Sequence, residues 1–313
     1  MIARWMARGW GPRPGWLAFL LGWSAVSAAL NVGFPLLWQR AIDEIGTGAA
    51  PTRIATLGGW MAVTGLAHAA VYFVLQGARA VINARLTRDA RVALLDAITA
   101  AQPDAARRWR PGDVVARAHD DAGEKSSWFL CSGIFRAYEA VLVSGGALIA
   151  IAALEPSLVG WLLLPLPVLI AAQAAGQSSL STRNQRVQTA VSAVSDQLAT
   201  TFGAIRTVKA AGLGPHVRRA FVSAARDQRD AEVASAIVMQ GIGLLYQYGW
   251  QLAVAGLLLF GGLAVLDGEM TLGRYVALEG LVGIMVWPMF DFGILVSRLP
   301  QAAVALRRLD ELL

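Results

Sequence analysis

Ionisable side chains are scarce in the long apolar stretches of this chain, so those that occur there are the first candidates for chemistry. Asp291 lies one turn after Pro288 in an apolar run over 274–297, and Glu279 lies near the start of the same run. A carboxylate within hydrocarbon is costly and normally faces a cavity, a partner or the interface. For Asp291 this leaves cavity lining or a structural ion pair. For Glu279 it leaves an interfacial position or a pathway role. Gln240, Gln247 and Gln251 are spaced seven and four apart, which puts them on one helical face, with Tyr246 and Trp250 flanking it. Such a stripe suits a wet translocation path or interhelical hydrogen bonds. Arg136 and Glu139, one turn apart, are expected to form a local ion pair. His68, alone among apolar residues, is expected to be a packing or hydrogen-bonded histidine. His68, His119 and His216 are scattered and give no metal-ligand spacing. With Cys131 as the only cysteine, an internal disulfide and a cysteine metal cluster are excluded. No Ser/His/Asp or paired-carboxylate arrangement is readable, so the chain itself is not expected to be an enzyme.

The elements that must position these residues are membrane spans. Of 313 residues, 56% are hydrophobic and 15% charged, against about 25% charged in a soluble domain. Several charge-free runs exceed the roughly 20 residues needed to cross a bilayer core. Each can satisfy its own backbone only as a helix. The expected fold is therefore an all-α integral membrane domain with six spans, at about 16–38, 54–78, 126–154, 157–175, 237–266 and 274–297. The first is too long for a signal-peptide core. The connections alternate short and long, so both long loops (79–125 and 176–232) and both termini fall on one side. That side holds 23 of the 27 Lys and Arg residues, which marks it as cytoplasmic. The net charge of +6 is explained by this orientation and is not a nucleic-acid signal. Each long loop reads as helix, break, helix. The breaks fall near Pro103 and Pro111–Gly112 in the first, and at Gly212, Leu213, Gly214 and Pro215 in the second. About 25 helical residues out and back reach on the order of 35–40 Å from the membrane. Such arms imply a cytoplasmic contact at their tips.

This pattern resembles the membrane domain of ATP-binding-cassette (ABC) exporters, and the resemblance covers essentially the whole chain. RPGDVVARAHDD at 110–121 is similar to a stretch of the family's first cytoplasmic loop, and FGAIRTVKAAG at 202–212 to one of its second. GEMTLG at 268–273 resembles the turn before the sixth span, Trp287 and Pro288 a bend within it, and AAVALRRL at 302–309 the segment leaving the membrane. The resemblance implies short coupling helices at about 103–112 and 210–220, docked on a nucleotide-binding domain. Arg110, Gly112, Asp113, Gly212, Leu213, Gly214, His216 and Arg219 are then the coupling residues. Gln240, Gln247, Gln251 and Asp291 are the pathway candidates.

The resemblance further implies a second transmembrane half, since six spans supply half of the pathway, and spans four and five that cross to that half. ATP would be bound by the associated nucleotide-binding domain, because nothing here resembles a phosphate-binding Gly-x-x-x-x-Gly-Lys-Ser/Thr loop. No metal is expected on the chain. The ATPase is expected on a separate chain or beyond Leu313, the second being favoured because the sequence stops where the linker should start. The Ala/Arg/Gly-rich composition fits a bacterial inner membrane. The alternative is an ATP-independent secondary transporter or channel, which predicts internal symmetry and several midplane charges. An integral-membrane enzyme would need clustered His, Asp or Glu. Only the ATP-coupled reading requires the arms.

Overall fold

A computed structural model describes residues 2–101, 111–163 and 165–312. Its described residues are helical or in turns, without strands. In chain order the helices are α1 (Ile2–Trp10), α2 (Pro14–Gly46), α3 (Pro51–Ala100), α4 (Pro111–Ala116), α5 (Ile134–Leu154), α6 (Pro156–Leu163), α7 (Pro165–Gly203), α8 (Ile205–Ala210), α9 (Gly214–Leu266), α10 (Leu272–Ile284) and α11 (Val286–Asp310). Between α4 and α5 the chain stays helical but widens to π-helical turns over Arg117–Ser127 and Phe129–Gly133. The Ser126 hydroxyl donates to the Asp121 carbonyl and the Ser127 hydroxyl to that of Ala122, each five residues back. Among the described residues, four helical stretches are long and apolar enough to cross a membrane: Pro14–Gly46, Pro51–Ala100, Gly112–Leu154 and Leu272–Asp310. The 50 residues of α3 extend about 75 Å, far beyond a hydrocarbon core of about 30 Å.

The helices form two compact units, one of Met1–Leu162 with Val254–Leu313, the other of Leu163–Ala253. In the first, α2 packs against α3, α5 and α10. Lipid is as apolar as leucine, so close approach rather than water exclusion must hold such helices together. Small residues supply it. Ser24, Ser27 and Ala28 of α2, Ala140 and Ala147 of α5 and Ala277 of α10 are all buried. Gly280 passes so near α2 that a Cβ there would lie 3.1 Å from Pro35 Cβ. Outward-facing Phe73, Leu66 and Ile149 are more than 70% exposed, as expected of lipid-facing side chains. A hydrophobic core forms where Leu75, Ile82, Leu86, Phe129, Cys131, Phe135, Leu306 and Leu309 cluster. The amphipathic α1, not anticipated from the sequence, joins it. The Trp10 ring lies tilted at 58° against Phe135, 5.1 Å between centroids, and its indole N–H donates to the Leu130 carbonyl at 3.0 Å.

The expected bend near Trp287 and Pro288 is a break at Met285, between α10 and α11. Proline lacks an amide hydrogen and crowds the carbonyl four residues back, so the helix opens in the turn preceding Pro288.

The second unit is a helical hairpin. Ser235 donates to Asn184 Oδ1 at 2.8 Å, Arg183 to the Ala234 carbonyl at 3.3 Å, and a Cβ on Gly176 would strike Ile242. From the contacts at 183–184 with 234–235 to that of Gly176 with Ile242, the α7 numbers fall while the α9 numbers rise, so α7 and α9 are antiparallel. The pairs centre near Lys209, within the connection between α7 and α9. From Gly176 to the end of α7 at Gly203 is about 42 Å of helix.

Candidate functional site

The polar residues of the first unit converge on a cavity of about 690 Å³. On α3, His68, Tyr72, Gln76 and Arg79 recur at helical spacing, and all four line it. Asn31 enters from α2, Arg136 and Glu139 from α5, and Trp287 and Asp291 from α11. Arg79 is 2% exposed and donates to Glu139 Oε2 at 2.7 Å and to Ser24 Oγ at 3.2 Å. Ser27 donates to the other Glu139 oxygen at 2.9 Å. This ion pair therefore ties α2, α3 and α5 together. Arg136 makes a second one, donating to Asp291 Oδ1 at 3.3 Å across to α11.

Two expectations are corrected here. Arg136 and Glu139 do not pair with each other. A fully buried arginine without a counter-charge is far costlier than a half-exposed one, so Glu139 goes to Arg79 and Arg136 to Asp291. His68, expected to be a packing or hydrogen-bonded histidine among apolar residues, lines a cavity with polar neighbours, its ring 6.3 Å from Tyr72. Arg79, counted by sequence among the loop cations, belongs to the bundle core. The signal for it was the 68, 72, 76, 79 spacing. Asp291 is both cavity lining and half of a pair, while Glu279 is exposed.

A second cluster sits where α11 ends. Arg308 reaches Asp113 at 2.7 Å and the buried Asp121 at 3.0 Å. Arg117 bonds Asp113 at 2.9 Å, reaches Glu311 at 3.2 Å and donates to the Arg308 carbonyl. Asp310 accepts from Arg4 and, at 3.0 Å, from the Trp5 indole N–H. Asp113, expected at a loop tip, is thus bound to the end of α11. Arg110 and most of the expected first coupling helix lie outside the described residues. Gly112 is exposed.

At the hairpin turn, α8 is a six-residue helix between turns at Ala204 and at Ala211 to Leu213. Leu213 N–H bonds the Val208 carbonyl at 3.0 Å and Gly212 has φ +65°. This is the helix-ending motif whose left-handed residue is normally glycine. The turn interrupts the helix expected at 210–220, and helix resumes at Gly214. Gly212, Leu213, Gly214, His216 and Arg219 are all exposed.

A family model described as the ABC transporter transmembrane region matches residues 17–289. The chain belongs to that family. It is a multi-pass membrane protein. An ABC relative, the probable multidrug resistance ABC transporter ATP-binding/permease protein YheI of Bacillus subtilis (strain 168), is 24% identical over 324 residues. The match takes in 97% of this chain and 53% of the relative. The multidrug resistance-like ATP-binding protein MdlA of Escherichia coli (strain K12) is 26% identical over 223 residues, 67% of this chain and 36% of that protein. The chain spans about half or less of the curated relatives it matches. In this ABC membrane region, Gln240 and Gln251 lie exposed on α9. The side chains of Gln247, Tyr246 and Trp250 lie outside the described residues. The cavity brings together Asp291 and residues of α3 and α5.

Proposed function

We propose that this chain is the membrane-spanning permease half of an ATP-driven exporter. Its six spans pair with those of a second half, homo- or heterodimeric, in a bacterial inner membrane with both termini cytoplasmic. A nucleotide-binding domain, fused or separate, binds the ATP and docks on the tips of the two arms. Gly112 and Asp113 serve the first tip, Gly212 to Arg219 the second. ATP binding favours the closed pair of nucleotide-binding domains and, through the arms, the outward-open state. The cavity around Asp291 is the inward-facing substrate site. Gln240, Gln247 and Gln251 extend the pathway from α9.

The observation that carries this reading is the hairpin of α7 and α9. It runs about 42 Å from Gly176 to Gly203 and leads to an exposed, glycine-capped turn. A bilayer protein needs no such lever unless something outside the membrane moves it. The relatives' names support the same partner: that of the Bacillus subtilis protein joins ATP-binding and permease, and that of the Escherichia coli protein is an ATP-binding protein. The test is to purify the protein as encoded in its cell, with whatever ATPase accompanies it, into proteoliposomes. ATP turnover and its dependence on the tip are then measured. Replacing Leu213 and His216 with aspartate should uncouple turnover from transport. Absence of any associated ATPase would overturn the proposal in favour of an ATP-independent transporter.

A further inference from the structure

Within the cavity, the two ion pairs differ in what they offer a ligand. Arg79 is buried and Glu139 is only 15% exposed, and they are held by Ser24 and Ser27 as well as by each other. Arg136 and Asp291 are not. Their side chains are 39% and 28% exposed, they share a single 3.3 Å hydrogen bond, and the buried Arg136 Nε has no hydrogen-bond partner among the described residues. Two opposite charges thus face the cavity side by side, lightly joined, on two different helices. Beside them stand Tyr72 and Trp287, both exposed to the same space.

The chemistry of that pair selects a ligand. A lone cation drawn to Asp291 must displace Arg136 and leave its charge unmatched in a low-dielectric site. A lone anion drawn to Arg136 strands Asp291 in the same way. Each bargain trades one pair for another and leaves a charge over. A ligand carrying both signs replaces the weak internal pair with two charge-assisted contacts and leaves nothing unmatched. The cavity's 690 Å³ leaves room for an apolar body against the aromatic wall, within the range of sites that bury drug-sized molecules. We infer that the Arg136–Asp291 pair opens to bind the head of a zwitterionic amphiphile, anion on Arg136 and cation on Asp291. The head can come from a soluble molecule or from a membrane lipid. This inference rests on the cavity being the substrate site.

A matched probe series tests it on the full chain in lipid nanodiscs. Nε-dansyl-lysine presents both charges, dansylcadaverine only the ammonium, and 6-(dansylamino)hexanoic acid only the carboxylate, all on one fluorescent body. Tryptophan-sensitised dansyl emission reads binding. In phosphatidylglycerol discs the zwitterion should bind about tenfold tighter than either analogue, the worth of one charge-assisted hydrogen bond. Arg136→Gln should reduce it to the affinity of the cation, and Asp291→Asn to that of the anion. The exchanged variant, Arg136→Asp with Asp291→Arg, keeps the pair and should restore the preference, which separates recognition from misfolding. Weaker binding in phosphatidylethanolamine discs assigns the head to lipid, and unchanged binding assigns it to a soluble molecule. Equal affinities for all three probes, each lost when Ile284→Trp fills the cavity wall, would overturn the zwitterion but keep the cavity as the site. Binding that ignores Ile284→Trp, or no binding of any probe, would overturn the cavity reading and this inference with it.

Discussion

At the scale of single residues, the bundle is defined by how it disposes of four charges. Arg79 is buried against Glu139, and its pair spans three helices through Ser24 and Ser27. Removing one member leaves an uncompensated charge, whereas removing both leaves apolar packing. Glu139→Gln should therefore lower the unfolding free energy of the detergent-solubilised protein by about 3 kcal/mol. The double variant Arg79→Met, Glu139→Leu should recover most of that, as read by thermal unfolding. A double variant no more stable than Glu139→Gln would mean the pair is worth more than its replacement packing. These partnerships were only partly legible in the sequence. Asp291 stood out because charges within a span are rare. Its partner did not, because Arg136 and Glu139 lie one turn apart on one helix and local spacing favours pairing them. The register of α3 and α11 against α5 decided otherwise, and no spacing within one helix encodes that.

At the scale of elements, long charge-free runs made four spanning helices among the described residues readable, and the Gly–Leu–Gly–Pro stretch marked the hairpin turn. The inner break of the last span fell a turn before its proline, as a missing amide hydrogen requires. The amphipathic α1 escaped notice because nine residues give too few turns for a periodic pattern to stand out beside a long apolar run. The helix-ending motif at Gly212 yields a local prediction. A β-branched residue at φ +65° costs about 1–2 kcal/mol. Gly212→Val should thus loosen the turn between α8 and α9 without touching the bundle. Faster amide exchange over 204–213 at unchanged thermal stability is the expected result. Gly273 is the opposite case. A Cβ there would lie 2.3 Å from the Gln39 carbonyl oxygen and 2.4 Å from Asp43 Oδ1, and Asp43 accepts the Gly273 N–H at 3.1 Å. Gly273→Ala must push α10 off α2, so it should destabilise the whole bundle and cut the yield of folded protein.

At the scale of the whole molecule, the proposed sidedness rests on charge and length together. Basic residues gather in the two long loops and the termini, and under the positive-inside rule the proposed topology puts these in the cytoplasm. On that proposal the hairpin turn is cytoplasmic and the Asp267–Met270 turn lies on the opposite side of the membrane. The chain is well suited to a direct test, because its only cysteine, Cys131, is buried in the hydrophobic core and should give little background. Leu213 and Glu269 are both exposed, one at the hairpin turn and one at the turn before α10, so each tolerates replacement by cysteine. A membrane-impermeant maleimide added to intact cells should label Glu269→Cys and spare Leu213→Cys. In inverted membrane vesicles the pattern should reverse. Labelling of Leu213→Cys from outside would place the hairpin where no ATP-driven partner could reach it, and the proposed coupling would fail with the topology.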